Sequence, residues 1–477
     1  MKKLTDINQD FAQWYQDVLM ESEVIDNSPT RGSYVLRPYG YAVWENIKEI
    51  LDKKIKKHGT QNAYLPLLIP ESFLKKEAKH VEGFAPEVAV VTHAGGKPLE
   101  EVYVIRPTSE TIMYYMFAKW IKSWRDLPLQ INQWCNIVRW EMRTRPFLRT
   151  CEILWQEGHT AHRTQEEAVT MATTMLEEYR DLAENYLAIP VVLGEKTESE
   201  RFAGASATYC FEGLMQDGKA LQMGTSHVLA HSFPAAFDVQ FQDQDGTTQT
   251  PWCTSWGVST RLIGAVILTH GDQNGLIMPP RIAPIQVVIV PIYRSDDQKD
   301  SVLKKVEEIK TLLEKQNVRV HVDADDQKTP GAKFFHWEVR GVPVRMEVGP
   351  KDIENNQVVL VNRVEPDKNK KKIFVSFDTM AESLQKLLDS IQTMLFEQAK
   401  KRRDAQWFQA DKLSDFGAKL EKDNGMYQVG WCGGAACEET LKEFKGTIRC
   451  IVGDHKHKIC FACQKASIGD VLVAKAY

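Results

Sequence analysis

The fold is decided by residues 138–159, which read VRWEMRTRPFLRTCEILWQEGH. The pattern predicts a hairpin of two strands, because Pro146 interrupts the run between them. Arg139 and Glu141 are two residues apart, so they share a face if both lie on the first strand. Alternation gives the second strand two faces, with Ile153, Trp155 and Glu157 on one and Glu152, Leu154 and Gln156 on the other.

The loop of this hairpin carries positive charge from Arg143, Arg145 and Arg149. Arginine forks pair with phosphate oxygens, and carboxylates hold divalent metals. An arginine loop beside carboxylates therefore suits a polyphosphate that arrives with Mg²⁺. The plain alternative is a solvated hairpin with surface ion pairs.

The stretch resembles motif 2 of the class II aminoacyl-tRNA synthetases, whose Arg-x-Glu strand and loop hold ATP. Within that class, the strings RWE, FLRT and WQEGH resemble the prolyl-tRNA synthetase family. The resemblance extends over nearly the whole chain and points to the subtype with an added C-terminal zinc-binding domain. It implies a catalytic domain on an antiparallel sheet. It also implies ATP-dependent attachment of L-proline to tRNA(Pro) through prolyl-adenylate.

The composition is typical of a globular protein with several domains. The chain has 477 residues, 43% of them hydrophobic, which is enough for two or three domains. Its net charge is −4, from 60 basic and 64 acidic residues, so RNA binding must come from local basic patches. No apolar run approaches the roughly 20 residues that cross a bilayer, and the polar N-terminus lacks a signal-peptide core. We therefore expect a soluble, cytoplasmic protein with no membrane partner.

The order of predicted elements gives a multidomain α+β and α/β fold. Residues 1–283 contain the synthetase motifs and are predicted to form the class II catalytic domain. Residues 284–400 alternate strands with amphipathic helices, which predicts an α/β anticodon-binding domain with a mainly parallel sheet. Its last helix is expected to be capped by Asp378. Residues 401–477 are predicted to form a small α+β zinc-binding domain.

The apolar segment 63–69 bears on oligomeric state. It contains Pro66, which cannot donate to a sheet ladder and so belongs at an edge or an interface. The resemblance identifies this segment as motif 1, the strand through which the family forms homodimers. An ordinary edge strand fits the residues equally well.

The residues 107–110, Pro-Thr-Ser-Glu, are predicted to open a helix, because hydroxyls and acids are favoured in a first turn. In the family the same groups bind the imino nitrogen of proline, which implies that role for Thr108 and Glu110. The resemblance implies that the rest of the proline pocket is formed by Arg139, Trp155, Glu157, His227 and Ser259.

The resemblance also assigns the ATP site. Arg139 is implied at the α-phosphate and the substrate carboxylate, Arg261 of motif 3 at the outer phosphates, and Glu141, with Mg²⁺, at the nucleotide. These three are the catalytic candidates. Motif 3 is predicted to be a strand that ends at Arg261. Two residues depart from common class II patterns, since Thr260 replaces a glutamate and Ile153 replaces an aromatic beneath adenine. The other ATP-site candidates are Thr150, Gln222 and Thr225.

Residues 337–352 resemble the anticodon-binding domain of class IIa synthetases. Lysines between 368 and 372 add positive charge that suits tRNA phosphates, although such a run is more often a solvated hairpin. The resemblance implies tRNA contacts from Glu338, Arg345, Lys351 and Lys371.

The last stretch holds four cysteines in the spacing Cys-x4-Cys-x22-Cys-x2-Cys. The second pair has the spacing of a zinc knuckle, and four thiolates would close a structural Zn²⁺ site. Cys450, His455 and His457 are alternative ligands. The predicted ligand set is Cys432, Cys437, Cys460 and Cys463.

Two other functions fit parts of the pattern. A non-catalytic, tRNA-binding paralogue would keep the fold but has no need of the ATP and proline residues. A threonyl- or histidyl-tRNA synthetase would share the anticodon domain. A threonyl enzyme would also need a metal site in its catalytic domain, and the sequence before residue 285 contains no such ligand cluster.

Overall fold

The computed structural model describes residues 4–74 and 88–477, and its largest element is one eleven-stranded sheet. The N-terminal region (residues 1–283) supplies most of that sheet. Its helices are α1 (Phe11–Glu21), α2 (Pro38–Lys57), α3 (Glu71–Leu74), α4 (Glu110–Trp120), α5 (Gln165–Asp181), α6 (Ser232–Ala236) and α7 (Arg261–His270). Its strands are β1 (Ile25–Asn27), β2 (Tyr34–Leu36), β3 (Gln61–Asn62), β4 (Leu68–Pro70), β5 (Ala89–Ala94), β6 (Lys97–Ile105), β7 (Leu129–Val138), β8 (Glu152–His162), β9 (Val191–Glu195), β10 (Ala207–Leu214), β11 (Ala220–Ala230), β12 (Phe241–Gln242), β13 (Thr248–Gln249) and β14 (Trp252–Ser259).

The middle region (residues 284–400) forms a separate five-stranded sheet. Its strands are β15 (Val287–Pro291), β16 (Val320–Val322), β17 (Val344–Val348), β18 (Gln357–Asn362) and β19 (Lys372–Ser376). Its helices are α8 (Asp296–Lys315), α9 (Pro330–Val339), α10 (Pro350–Glu354) and α11 (Met380–Ala405). Because α11 continues to Ala405, the predicted boundary at residue 400 lies inside a helix.

The C-terminal region (residues 401–477) adds four more strands to the large sheet. They are β20 (Trp407–Gln409), β21 (Met426–Trp431), β22 (Thr447–Val452) and β23 (Gly469–Ala474), and the region's helices are α12 (Leu413–Asp423) and α13 (Ala435–Glu439). The order across the sheet is β20-β21-β23-β22-β9-β10-β11-β14-β8-β7-β3. The pairings from β22 to β7 are all antiparallel, which confirms the antiparallel catalytic sheet.

The hairpin predicted from residues 138–159 is confirmed as β7 and β8, which pair from Leu129 with Ala161 to Val138 with Glu152. The placement of Arg139 and Glu141 on its first strand was wrong, because β7 ends at Val138. Arg139 makes one more bond across the hairpin, from its N–H to the Cys151 carbonyl (2.8 Å). The Glu141 N–H donates to the Arg139 carbonyl, which turns the backbone away from the strand. The two residues therefore do not share a strand face.

Motif 3 differs from the prediction in a similar way. The strand β14 ends at Ser259, and Arg261 is the first residue of α7. The Arg261 N–H bonds to the Ser259 hydroxyl (3.2 Å), and a 3.0 Å bond from Ile263 N to Thr260 O starts the helix. Arg261 is therefore held by a helix terminus rather than by a strand.

The two faces of the large sheet have different roles. The helix α5 packs across β8, β10, β11 and β14 on one face, where the Ser226 hydroxyl donates to the Ala172 carbonyl (2.7 Å) and the Tyr179 hydroxyl to the Gln156 amide oxygen (2.8 Å). Successive side chains of a strand point to opposite faces. The neighbours of Ser226 and Gln156 along their strands therefore face away from α5.

One glycine lets β8 lie beside β14 on this face. A Cβ on Gly158 would come within 2.1 Å of the Trp256 ring. The buried Trp256 side chain thus needs the missing side chain at position 158.

The sheet of the middle region was predicted to be mainly parallel, and that prediction is half right. The strands β16, β15 and β17 are parallel, whereas β18 and β19 add antiparallel pairs. Only residues 349–356 connect β17 to β18, and a parallel crossover needs about a dozen residues or more.

The expected cap of α11 at Asp378 was wrong by one residue. The Thr379 carbonyl accepts the Ser383 N–H (2.9 Å), so Thr379 is the N-cap.

The C-terminal region continues the N-terminal sheet where β22 pairs with β9. Ile451 pairs with Glu195, and a Cβ on Gly194 would lie 2.5 Å from both Cys450 Cβ and the Ile451 carbonyl oxygen. Within residues 4–74 and 88–477, no helix has the length and apolar character to span a membrane.

Candidate active site

A cavity of about 290 Å³ lies on the sheet face opposite α5. Residues of β8, β11 and β14 and of the first turn of α4 line it. Its lining brings together residues from motifs 2 and 3 and from the helix mouth at 108–110. The predicted site residues in the lining are Thr108, Glu110, Arg139, Trp155, Glu157, Gln222, Thr225, His227, Ser259 and Arg261.

The buried carboxylate of Glu157 is the most heavily bonded group in the cavity floor. Its Oε1 accepts from the Ser109 hydroxyl (2.5 Å) and from the Gln133 amide (2.8 Å). Its Oε2 lies 3.0 Å from His159 Nε2. Glu157 therefore ties together β7, β8 and the start of α4.

Glu157 and His159 form a charged pair inside the protein. Burial raises the pKa of Glu157, but the hydrogen bond and charge of His159, with Ser109 and Gln133, outweigh burial and hold that pKa below its ordinary value. Burial lowers the pKa of His159, but Glu157 outweighs it and raises the pKa above the ordinary 6.5. Both shifts favour the ionised pair.

The mouth of α4 presents a hydroxyl and a carboxylate. Ser109 is the N-cap residue, yet its side chain makes no capping bond because its hydroxyl is committed to Glu157. The Thr108 hydroxyl donates to the Glu110 carboxylate, and both side chains are buried. These groups offer acceptors to a small cationic nitrogen entering the cavity.

His227 is a neutral wall of the cavity. Its Nδ1 lies 3.0 Å from the Thr208 hydroxyl and its Nε2 lies 2.9 Å from the Thr225 hydroxyl. Burial, together with the charge of the nearby His159, lowers the pKa of His227 to about 3. The Phe202 ring centroid is 4.7 Å from the His227 ring, so this wall is largely apolar.

Two arginines also line the cavity. Arg139 Nε donates to the Pro107 carbonyl (3.1 Å), and its guanidinium lies 5.6 Å from the Trp155 ring centroid. Arg261 donates from Nε to the Leu148 carbonyl and from Nη1 to the Gln222 carbonyl, each at 3.1 Å. Burial lowers the pKa of Arg261 to about 10, and the charge of Arg139 contributes. Both remain cationic at neutral pH and suit anionic groups.

Glu141 and Thr150, two of the predicted ATP-site residues, lie outside the cavity lining. Glu141 Oε1 is 2.6 Å from Arg149 Nε in an ion pair within the basic loop. The Thr150 hydroxyl donates to the Glu152 carbonyl (2.6 Å), and Thr150 lines a neighbouring cavity of about 260 Å³. Both belong to the loop that leaves the sheet after Val138.

Three residues of the floor network were not predicted. His159 follows Glu157 by two positions, so alternation along β8 could have placed it on the cavity face. Ser109 was seen only as part of a helix start. Gln133 belongs to no motif, and only the pairing of β7 with β8, where it lies opposite Glu157, brings it to the site.

The predicted tRNA residues are only partly together. Glu338, Arg345 and Lys371 line one small surface pocket of the middle region, where Lys371 Nζ is 3.2 Å from Glu338 Oε1. Arg345 stacks 3.9 Å from the Phe334 ring centroid. Lys351 is on α10 and does not line that pocket.

The four predicted cysteine ligands form one cluster. Their sulfur atoms all lie within 4.8 Å of one another, with 3.7 Å from Cys432 to both Cys437 and Cys463. Zn–S bonds of about 2.3 Å in a tetrahedron place the sulfurs about 3.8 Å apart, so the cluster has the dimensions of such a site. Within the described ranges this is the one group of three or more such side chains that could hold a metal ion: Cys432, Cys437, Cys460 and Cys463.

The alternative ligands have other partners. Cys450 is buried at the junction with Gly194. His455 Nε2 lies 2.9 Å from the Ser467 hydroxyl, and His457 Nδ1 lies 3.1 Å from the Asp470 carboxylate.

Comparison with known families divides the chain into three matches. Residues 91–270 match the tRNA synthetase class II core domain shared by the G, H, P, S and T enzymes. Residues 286–387 match the anticodon binding domain, and residues 413–477 match the C-terminal domain of prolyl-tRNA synthetase.

Curated relatives are similar over the full length. A proline–tRNA ligase of Alkaliphilus oremlandii is 51% identical over 480 residues, covering 100% of this chain and 98% of the relative. A proline–tRNA ligase 2 of Clostridioides difficile is 50% identical over 481 residues, and a proline–tRNA ligase of Natranaerobius thermophilus is 49% identical over 481, each with the same coverage.

The Glu157–His159 pair predicts a distinctive pH dependence of stability. The raised pKa of His159 contributes stability that is complete below pH 6.5 and is lost as pH rises through its folded value. The lowered pKa of Glu157 contributes stability that is complete above pH 4.5 and is lost as pH falls through its folded value. His159→Gln should therefore be most destabilising between pH 4.5 and pH 6.5, where it should lower the free energy of unfolding by about 2 kcal/mol. The loss should be smaller at about pH 8–9.

Urea unfolding of both proteins across pH 5–9 measures this cost, and His270→Gln is the matched control. His270 is also buried, but burial lowers its pKa to about 3. A histidine whose pKa is lowered in the folded state destabilises the protein as pH falls below 6.5. The loss of unfolding free energy caused by His270→Gln should therefore not become smaller as pH rises. A pH-independent cost for His159→Gln would show that the pair is not ionised.

Proposed function

The chain belongs to the proline–tRNA ligase family of class II synthetases, and we propose that the two ends of its cavity divide the work of proline activation. The protein attaches L-proline to tRNA with ATP as the energy source, and ATP enters as its Mg²⁺ complex. The observation that carries the assignment of residues is the cavity itself. Its lining holds acceptors at Thr108, Glu110 and Glu157 and the guanidinium groups of Arg139 and Arg261, and we assign these two sets to its two ends.

Proline is a zwitterion, and the two ends suit its two charges. The secondary ammonium group lies against the α4 mouth, where Thr108 and Glu110 accept its hydrogen bonds. Its ring lies between Trp155 and His227, whose neutral state avoids burying a charge against apolar carbons. Its carboxylate points to Arg139. Glu157 and Ser259 are proposed to complete this pocket.

The first step joins the proline carboxylate to the α-phosphorus of ATP and releases pyrophosphate. This step needs two anions to be brought together and new charge to be neutralised, so positioning and electrostatics dominate. Arg139 neutralises the α-phosphate and the attacking carboxylate, and Arg261 neutralises the outer phosphates. Gln222 and Thr225 flank the nucleotide.

Glu141 and Thr150 are proposed to bind the nucleotide from outside the cavity lining. Glu141 is paired with Arg149 in the basic loop, so binding the Mg²⁺ complex of ATP would require this loop to rearrange. We retain both residues as candidates on the loop that borders the cavity.

The second step transfers the prolyl group to the 3′-terminal ribose of tRNA(Pro), with release of AMP. The middle region is proposed to hold the anticodon end, with Glu338, Arg345 and Lys371 around one pocket and Lys351 on α10.

The Lys371→Glu variant tests this role, because it should lose tRNA charging while keeping proline activation. Equal loss of both activities would contradict it.

A threonyl- or histidyl-specific enzyme and a non-catalytic paralogue are not favoured by the full-length relatives. Exchange of pyrophosphate into ATP separates all three, because only a prolyl enzyme makes exchange depend on L-proline. Exchange that depends on L-threonine or L-histidine, or no exchange with any of the three amino acids, would overturn the proposal.

The phosphate assignment predicts a large loss on removing either arginine. Arg139→Ala and Arg261→Ala should each lower the rate of proline-dependent exchange by about 10²–10³-fold, the usual cost of losing one charge-stabilising donor. Arg163→Ala is the control, since Arg163 pairs with Asp243 at 2.8 Å and lies outside the cavity lining. Near-normal exchange by either purified, folded variant would contradict the assignment.

The cysteine cluster is proposed to hold one structural Zn²⁺. Four thiolates fill a tetrahedral shell, so no position remains for water or substrate, and the metal would stabilise the fold of the C-terminal region. The supporting observation is the spacing of the four sulfur atoms.

Metal analysis of cysteine variants tests this site. Wild-type protein should contain one zinc per chain, and Cys432→Ser and Cys463→Ser should lose most of it. Cys450→Ser should keep it, because Cys450 lies at the β9–β22 junction rather than in the cluster. Zinc-free wild-type protein, or loss of zinc from Cys450→Ser alone, would overturn the ligand set.

A homodimer and a cytoplasmic location are also proposed. Supporting the dimer, Tyr64 is 70% exposed just after β3, an edge strand of the large sheet, and Leu68 at the start of β4 is 43% exposed. A monomer mass by light scattering at micromolar concentration would contradict the dimer.

A further inference from the structure

Three buried charged side chains meet where the C-terminal region joins the N-terminal sheet. Glu212 on β10 is 0% exposed, Lys196 is 2% exposed and Arg449 on β22 is 6% exposed. Lys196 Nζ is 2.9 Å from Glu212 Oε1, and Arg449 Nη2 is 3.0 and 3.1 Å from the two Glu212 oxygens. Arg449 Nε adds a third bond to Glu212 at 3.2 Å. We call these three residues the junction triad.

The junction triad is held from both sides. Lys196 Nζ also donates to the Arg449 carbonyl (2.6 Å), and Arg449 Nη1 donates to the Thr447 hydroxyl (3.0 Å). Buried charges are costly unless their hydrogen-bonding capacity is filled. The triad fills it with a fork that only arginine can supply, because its planar guanidinium donates to both carboxylate oxygens at once.

A short path leads from this triad to the phosphate end of the cavity. Glu212 on β10 is paired with Gln222 on β11. The Gln222 carbonyl accepts the Nη1–H of Arg261 at 3.1 Å. The pairing changes register between Phe211 and Glu212, so the position of Gln222 is set by an irregular part of the ladder. Of the two side chains that hold Glu212, Arg449 comes from the C-terminal region and makes most of the bonds.

Charge links the same residues. Burial lowers the pKa of Arg261. The Glu212 carboxylate opposes this effect and raises that pKa, whereas the charge of Arg449 lowers it. The charge of Glu212 therefore favours the cationic form of Arg261. As long as Lys196 and Arg449 occupy its oxygens, the carboxylate is largely neutralised, and Arg261 is left to face an anionic ligand.

We propose that Arg449 is a positioning residue for the ATP site, which holds Glu212 in place and thereby keeps Arg261 directed at the phosphates. The C-terminal region would then contribute to proline activation through a side chain that never touches substrate. The inference rests on the proposed role of Arg261 in phosphate binding.

The consequence of removing Arg449 has a definite direction. Glu212 keeps one cation, Lys196, and its remaining charge draws Arg261 away from the phosphates. Binding of ATP should weaken, while the proline end of the cavity, which is built on Glu157 and α4, should not change. A loss of structure alone would lower the number of active molecules without separating the two substrates.

Proline-dependent exchange by the full chain tests the proposal with Arg449→Met and Arg449→Lys. Arg449→Met should raise the KM for ATP about tenfold, in the range of measured coupling energies, and leave the KM for L-proline within about twofold. Arg449→Lys keeps the charge but loses the fork, so its KM for ATP should rise by a smaller factor. If Arg449→Met does not fold, the same separation of the two KM values in Arg449→Lys decides the matter.

Ser199→Ala is the matched control. The Ser199 hydroxyl donates to Glu438 at 2.8 Å, so this variant also loses a contact between the two regions, but one that involves neither the junction triad nor a residue of the cavity lining. Its KM values should be those of the wild type. An unchanged KM for ATP in the folded Arg449 variants, or an equal rise of both KM values, would overturn the proposal. Failure of the phosphate assignment is distinguishable, because Arg261→Ala would then retain exchange activity whatever the Arg449 variants do.

Discussion

The active site depends on one buried carboxylate. Glu157 accepts from Ser109 and Gln133 and pairs with His159, so a single side chain fixes the start of α4 against β7 and β8. Desolvation alone would make such a carboxylate neutral, and the histidine two residues away keeps it charged. The proposed proline pocket is built on this arrangement, because the Thr108–Glu110 pair sits on the helix end that Glu157 holds.

The proposed phosphate end is organised differently, because backbone carbonyls rather than a carboxylate accept the hydrogen bonds of Arg261. Arg261 is anchored to the carbonyl groups of Leu148 and Gln222 and starts a helix. The eleven-stranded sheet continues from this end into the C-terminal region through β9 and β22. The proposed zinc site would therefore stabilise a region that shares a sheet with the proposed catalytic residues, and the junction triad lies where the two regions meet.

Much of this could be predicted from the sequence, for identifiable reasons. The β7–β8 hairpin follows from alternation around Pro146, and alternation also places Trp155 and Glu157 on one face. The cysteine cluster follows from spacing. Contacts that depend on distant pairing could not be predicted, such as Gln133 opposite Glu157 and the continuation of β9 into β22. Strand ends were also missed, because Arg139 and Arg261 lie just beyond them, where hydrogen bonding rather than residue pattern decides the backbone.

Titration calorimetry of L-proline into wild-type, Glu157→Gln and Glu152→Gln proteins tests most directly whether this carboxylate organises the proline site. Glu152 lies on the same strand but on its opposite face and is exposed, so Glu152→Gln should bind proline as the wild type does. Glu157→Gln keeps the shape of the side chain and removes its charge, and it should weaken proline binding about tenfold or more, as expected for losing hydrogen bonds to a charged group. Unchanged proline affinity in a folded Glu157→Gln protein would contradict the account.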